Sequence, residues 1–277
     1  ISRRFCPARV EQFSFCLRRP SMGMAKKGKI LRWFGGGCLL VVLVFGLGGL
    51  LVGCALEQVF LYFRESRNID SQLAELRDSY EPCRPTISRG TPNKGTLRCG
   101  VILSPHPRIK QLTLAQFGTR ETVMALHRAA DRLEQLDPGG PPMRVMDLSH
   151  EGGGRFRGHA SHQSGRDVDL RFIYQGEEQP RRGFRNLPLD RLDGYRSWLL
   201  VDSLIKTGRV KVIFIDHEVQ EVLYNAAKEA KARNLKRVFQ YPRGEKVRAG
   251  IIRHWPNHRS HLHIRYRCPR GSKGCRG

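Results

Sequence analysis

Apolar residues recur every three to four positions in three parts of the chain, and this period is typical of amphipathic helices. In the clearest case, Val123, Leu126 and Leu133 share one helical face, and a stretch rich in proline and glycine follows at 137–142. The helices predicted in this way cover residues 119–136, 192–206 and 218–233.

Short runs of β-branched and aromatic residues between these helices predict strands. The predicted strands cover residues 143–148, 168–174, 210–215 and 261–267. Residues 84–98 and 175–189 contain prolines and glycines, so we expect loops there. Because helices and strands mix without a regular βαβ repeat, the pattern favours the α+β class. We expect a single catalytic domain with a central, largely antiparallel sheet flanked by helices.

A different pattern precedes this domain, because residues 33–56 contain no charged side chain. A run of about 20 apolar residues is long enough to cross a bilayer as a helix. Lys26, Lys27, Lys29 and Arg32 precede the run and indicate its cytoplasmic side. A buried helix of a globular domain is the alternative. We interpret 24–56 as an N-terminal membrane segment, which places the rest of the chain outside the cytoplasm.

Two kinds of anchor fit this segment. Residues 51–54 resemble a lipobox, which would leave Cys54 lipidated at a new N-terminus. Alternatively, a transmembrane helix is retained, with Phe60, Tyr62 and Phe63 as its outer interfacial aromatic residues. Either anchor predicts a membrane-attached protein in the periplasm or cell envelope.

The remaining segments complete the predicted domain organisation. Residues 1–23 do not resemble a normal leader, and we expect them to be an extension upstream of a mis-assigned start. Residues 57–98 are expected to be a stalk and linker, with a short helix indicated by Leu73, Leu76 and Tyr80. Residues 99–277 are expected to form the catalytic domain.

The chain is strongly basic, with 49 Lys and Arg residues against 25 Asp and Glu residues and a formal net charge of +24. Such a charge favours anionic partners, which include nucleic acids, lipid headgroups and acidic wall polymers. The predicted outward orientation argues against nucleic acid. The charge therefore names a class of partner, an anionic membrane or wall.

Four cysteines follow the apolar run, and their spacing favours the pairs Cys83–Cys99 and Cys268–Cys275. Disulfides suit an oxidising compartment. Four unpaired thiols are the alternative, and no CxxC pattern predicts a zinc site.

Histidines are concentrated in two segments, residues 159–169 and 254–263. On a strand, His261 and His263 would point to the same side, as would Asp167 and Asp169. With His162, two imidazoles and one carboxylate would leave a fourth position for water, which is the arrangement of a catalytic zinc site. Either aspartate could supply the carboxylate. His261 is then the best placed group to take a proton from the metal-activated water.

Both segments also resemble known motifs. Residues 161–169 resemble the SHQxGxDxD motif of penicillin-insensitive murein endopeptidases, and residues 258–265 resemble their closing HxxHxHxR motif. These enzymes belong to the LAS group of metallopeptidases. The resemblance covers roughly residues 99–277, and the two separated motifs occur in the expected order.

This resemblance implies specific roles. Zinc would be held by His162, Asp169 and His263, and His261 would be the catalytic base. Supporting roles fall to His159, His258 and the aromatic Trp255. The implied reaction is hydrolysis of D-alanyl–diaminopimelyl cross-links between the stem peptides of peptidoglycan.

Two alternative functions stay open. One is a related LAS-type reaction, such as that of a D-alanyl-D-alanine carboxypeptidase or another wall-peptide hydrolase. The other is a non-catalytic protein that binds the cell wall and keeps the metal for structure.

Overall fold

A mixed six-stranded sheet lies at the centre of the protein. The computed structural model describes residues 69–176, 186 and 188–277. In chain order the strands are β1 (Ile87–Thr91), β2 (Lys94–Arg98), β3 (Val101–Ile102), β4 (Ile109–Gln111), β5 (Phe117–Gly118), β6 (Met143–Val145), β7 (Asp167–Arg171), β8 (Val210–Ile215), β9 (Ile252–His254) and β10 (His261–Tyr266). The helices are α1, described over 69–79, α2 (Arg120–Leu136), α3 (Gly194–Lys206), α4 (His217–Glu229) and the short α5 (Leu235–Val238), with a 3₁₀ turn at Leu189–Arg191.

The strand order of the main sheet is β4-β6-β7-β10-β8-β9. The three central pairs are antiparallel, whereas β4 with β6 and β8 with β9 are parallel. The α+β class is therefore confirmed, but the sheet is mixed at its two edges. Two small antiparallel pairs, β1–β2 and β3–β5, lie outside it.

One face of the sheet belongs to the hydrophobic core. Val168 and Leu170 of β7 and Leu262 and Ile264 of β10 are fully buried there. They share one apolar cluster with the inward sides of α2, α3 and α4. Because side chains alternate along a strand, the residues between them point to the opposite face, where the polar site forms.

The helix predictions are correct to within a few residues. Thr119 begins α2 as its N-cap, since its hydroxyl accepts a hydrogen bond from the backbone N–H of Thr122 at 3.2 Å. The carboxylate of Asp193 caps α3 in the same way, by accepting from the N–H of Arg196 at 2.9 Å. Local capping chemistry thus determines where these helices begin.

The prediction of a loop at 84–98 is wrong, because most of this segment forms the hairpin of β1 and β2. Its prolines do not interrupt the strands: Pro85 precedes β1, and Pro92 lies in the tight turn between β1 and β2. Gly90 is tolerated inside β1 at a φ of +70°, where a Cβ would lie only 2.3 Å from the carbonyl oxygen of Lys94. The proline and glycine content of this segment therefore gave the wrong prediction, because these residues are compatible with a regular hairpin.

The predicted disulfides Cys83–Cys99 and Cys268–Cys275 are both formed. The first encloses the hairpin. The second closes a C-terminal loop that contacts it, since the N–H of Gly90 donates to the carbonyl of Gly274 at 2.9 Å. The first disulfide therefore joins the two ends of the hairpin, and the second shapes the loop that the hairpin contacts.

Several predictions fall outside the described residues. These are the N-terminal extension at 1–23, the membrane segment at 24–56 with Cys54, and most of the internal loop predicted at 175–189. Of the helices that the structure describes, none combines the length and apolarity needed to span a bilayer. Helix α1 packs against the domain, since Leu73 is 1% exposed and Asp70 forms an ion pair with Lys110.

Candidate metal centre

The register of β7 and β10 assembles the polar face of the sheet. His263 lies directly opposite Asp169, and Arg265 lies opposite Asp167. Side chains of directly opposed residues in an antiparallel pair lie on the same face and touch. His261 follows the same alternation along β10, so the predicted placement of both histidines on one face is confirmed.

His162 reaches this face from a tight loop that precedes β7. Its backbone adopts a φ of +65°, and its carbonyl accepts a 2.6 Å hydrogen bond from the hydroxyl of Ser149. The ring Nδ1 lies 2.6 Å from the carbonyl oxygen of Leu148. A carbonyl only accepts hydrogen bonds, so Nδ1 carries a proton and Nε2 is the nitrogen left to bind a metal.

Nε2 of His162 faces a carboxylate. Nε2 of His162 is buried, has no hydrogen-bond partner among the described residues, and lies 3.3 Å from Oδ2 of Asp169. A buried nitrogen and a buried carboxylate oxygen this close need a cation between them, which is either a proton on the ring or a metal ion. The orphaned nitrogen and the 1% exposed carboxylate therefore fit a metal ion.

Two further imidazoles flank Asp169 in a similar way. His263 has Nδ1 at 2.9 Å from Oδ1 of Asp169 and Nε2 at 3.4 Å from Asp167. His159 has Nδ1 at 3.6 Å from Oδ2 of Asp169 and Nε2 at 3.0 Å from Asp147. In both cases an outer carboxylate holds one ring nitrogen and turns the other inward, an arrangement that is common around metal ligands.

The tightest set of potential ligands differs in one member from the set expected from the sequence. Single donor atoms of His159, His162 and Asp169 all lie within 4.8 Å of one another. The expected set has His263 in place of His159. Both sets share His162 and Asp169, so the centre of the site is the same in each.

His263 is the strongest proton-binding group of the metal-free site. Burial alone would lower its pKa, but the hydrogen bonds and charges of Asp167 and Asp169 raise the pKa to about 9. A site that holds a proton between two buried carboxylates also attracts a metal cation, which competes with the proton.

His261 has the opposite character. Its Nδ1 lies 3.1 Å from the hydroxyl of Ser260, and its Nε2 lies 3.9 Å from Asp169. Burial is the main cause that lowers its pKa, to about 3. At neutral pH the imidazole is therefore uncharged, which is the form that a general base requires.

Asp167 supports the site from behind, a role that the sequence left undecided. It is fully buried, and its two oxygens accept hydrogen bonds of 2.9 and 3.0 Å from the guanidinium of Arg265. Burial would raise its pKa, but His263 and Arg265 hold the pKa well below the usual range. The carboxylate therefore stays charged behind His263.

An open cleft of about 370 Å³ lies over these residues. His258 lines it with its ring 4.8 Å from that of His261, and Trp255 lines it while 56% exposed. Sequence reasoning did not identify Phe214, whose ring centroid lies 5.4 Å from that of Trp255, or Asn93 at the tip of the hairpin. Asn93 donates a 3.0 Å hydrogen bond to the carbonyl of Ala160, next to the histidine loop.

The other histidines contribute to local structure elsewhere. His254 lies on β9 near Asp216 and Glu245, and His106 pairs with Asp131 at 3.0 Å. The lining of the cleft includes neither of them. His254 is the first residue of the second histidine segment, but it is a neighbour of the site and not part of it.

Comparisons with known proteins agree with the motifs. Residues 94–277 match the family described as penicillin-insensitive murein endopeptidase. Proteins with that name are similar to this chain: one from Yersinia enterocolitica is 29% identical over 57% of this chain and 56% of its own length, and one from Escherichia coli is 28% identical over 63% and 62%. One from Yersinia pestis is 30% identical over 57% and 56%. The chain thus spans little more than half the length of the curated relatives it matches.

Proposed function

The chain belongs to the family of penicillin-insensitive murein endopeptidases, and from this premise we propose that it is a zinc-dependent D,D-endopeptidase. Its substrate would be the D-alanyl–diaminopimelyl cross-link between stem peptides of peptidoglycan. The observation that carries the metal part of the proposal is the buried Nε2 of His162, which lies 3.3 Å from Asp169 and has no hydrogen-bond partner in the described part of the chain.

We assign His162, Asp169 and His263 as the metal ligands. His263 is favoured over His159 because it belongs to the closing segment that resembles the HxxHxHxR motif of the family. Its outer nitrogen also faces a carboxylate that is fully buried. A zinc ion held there would polarise the scissile carbonyl and make water acidic near neutral pH.

The protein groups around this position would handle the proton and the substrate. His261 is uncharged at neutral pH and lies beside the proposed ligands, so we assign it to take a proton from the attacking water and deliver it to the leaving amine. His258 can accept a hydrogen bond from the peptide in the cleft, because its Nδ1 lies 2.9 Å from the carbonyl oxygen of Pro256 and its Nε2 is then the acceptor. His159 would support the site through its contacts with Asp147 and Asp169. Trp255 and Phe214 offer an apolar wall to the substrate.

The proposed location follows from the proposed substrate. Peptidoglycan lies outside the cytoplasm, and the two disulfides of the domain suit an oxidising compartment. We therefore place the domain in the periplasm or cell envelope. An anchor within 24–56, either a transmembrane helix or a lipid on Cys54, would hold it at the membrane.

Zinc analysis of single-residue variants tests the ligand assignment. His162→Ala and His263→Ala should lose stoichiometric zinc. His159→Ala should keep zinc with at most about 100-fold weaker affinity, as expected for a residue that only supports the ligands. His261→Ala is the control, because it should keep zinc and lose turnover. Zinc loss in His159→Ala together with full zinc in His263→Ala would assign the third ligand to His159 instead.

A further inference from the structure

Four cationic side chains lie together beside the cleft, and we call them the cationic stripe: Lys211, Arg253, Arg265 and Arg267. The register brings three adjacent strands together here, with Arg265 of β10 opposite Val212 of β8, and Phe214 of β8 opposite Arg253 of β9. Arg267 follows Arg265 by two residues. Neighbouring strands are about 4.8 Å apart and alternate residues about 7 Å apart, so the charges are closely spaced.

Most of this charge is not neutralised within the domain. Arg265 is paired with Asp167, but no carboxylate of the described residues forms an ion pair with the other three members. Arg253 and Arg267 instead donate from Nε to the backbone carbonyls of Gly250 and Val210. Lys211 and Arg267 are exposed, and Arg253 is half-buried. The stripe can therefore reach a ligand from solvent.

The cations are close enough to destabilise one another. The pKa of Lys211 is lowered, first by partial burial and then by the positive charges of Arg166, Arg265, Arg253 and Arg267. Like charges held together in this way favour the binding of an anion, which relieves their repulsion.

The stripe is continuous with the cleft. Arg265 lines the cleft, and its guanidinium carbon lies 5.6 Å from the ring centroid of Phe214, which is another cleft residue. A polymer that enters the cleft can therefore lie along the stripe without leaving the surface of the sheet. Continuity with the cleft favours a polymeric ligand of the cleft over an anionic membrane.

We propose that the cationic stripe is an interaction surface for the carboxylates of wall peptides, and that it holds the polymer beside the cleft. This inference rests on the proposed function, which supplies the substrate class. A diaminopimelyl residue keeps a carboxylate next to the amide that is cut, and neighbouring stem peptides bring further carboxylates.

Binding to purified sacculi tests the stripe. The full chain would be compared with the triple variant Lys211→Gln, Arg253→Gln, Arg267→Gln in the presence of a chelator, so that binding is measured without digestion. The matched control is Lys228→Gln, Lys231→Gln, Arg233→Gln, which removes the same charge from exposed positions at the end of α4 and just beyond it. The stripe variant should bind about tenfold more weakly, since three ionic contacts are lost, and the control should stay within about twofold.

Two further arms identify the ligand. On sacculi whose carboxylates have been amidated, all three proteins should bind equally weakly. On phosphatidylglycerol vesicles, the two triple variants should behave alike. Equal binding of both variants to native sacculi, or a stripe effect seen only with vesicles, would overturn the inference.

A single exposed substitution guards against misfolding of the triple variant. Lys211→Gln alone should weaken binding to sacculi about twofold to threefold without lowering the temperature of thermal unfolding. Unchanged binding by this folded variant would count against the stripe. Because none of these measurements requires turnover, a chain that binds through the stripe but cuts no cross-link would refute only the proposed function.

Discussion

Replacing Asp167 by Asn tests whether a buried negative charge holds the site together. Asp167 is fully buried, accepts two hydrogen bonds from Arg265, and lies 3.4 Å from Nε2 of His263. Asn has nearly the same shape, so the substitution removes the charge without opening a cavity. Breaking one side of a buried ion pair typically costs about 3–5 kcal/mol, and the partial exposure of Arg265 favours the lower end, near about 3 kcal/mol.

The assay is urea unfolding of the metal-free variant, followed by zinc titration of the folded protein. The unfolding free energy should fall by about 3 kcal/mol, and zinc affinity should fall about 10- to 100-fold because His263 loses its supporting carboxylate. The matched control is Asp131→Asn, whose carboxylate also pairs with a histidine but is 61% exposed. That control should change stability by less than about 1 kcal/mol. The reasoning is refuted if Asp167→Asn loses no more stability than the control and binds zinc like the wild type.

Two other measurements probe the site and its supports. The pKa of His263 is raised to about 9 in the folded metal-free protein, above the unfolded value of about 6.5. Protonated His263 therefore stabilises the folded protein fully below about pH 6.5, and this contribution is lost as pH rises through 9. Urea unfolding in chelator should show the unfolding free energy falling by an amount on the order of 3 kcal/mol over this window. An unfolding free energy that does not change with pH would contradict this. The Cys83→Ser, Cys99→Ser double variant opens a loop with a sequence separation of 16 and should lower the unfolding free energy by about 3 kcal/mol, whereas an unchanged denaturation midpoint would show that the hairpin does not need the disulfide.

Strand alternation made much of the site predictable. The spacing of His261 and His263, and of Asp167 and Asp169, places each pair on one face of a strand. What alternation cannot supply is the pairing of β7 with β10, which brings His263 opposite Asp169 across 94 residues of sequence. The tautomer of His162 likewise depends on a carbonyl at Leu148, which no local pattern indicates.

The missed residues share a physical cause. Phe214 lies in an apolar run that predicts a strand buried on both faces. In the structure it lies opposite His263 on the neighbouring strand, and its side chain lines the cleft. Asn93 lies in a segment whose prolines and glycines predicted a loop, and its role depends on the folding of the hairpin onto residue 160. In both cases the neighbours that assign the role are distant in sequence.

The central claim is hydrolysis of peptidoglycan cross-links at this metal centre. Purified sacculi would be incubated with the full chain, with chelator, and with chelator followed by excess zinc, and the muropeptides would then be separated and weighed by mass spectrometry. The account predicts that cross-linked dimers are converted to monomers with the addition of one water, that chelator stops this, and that zinc restores it. Dimers that persist equally in all three samples, or loss of a terminal D-alanine with the cross-links intact, would contradict it.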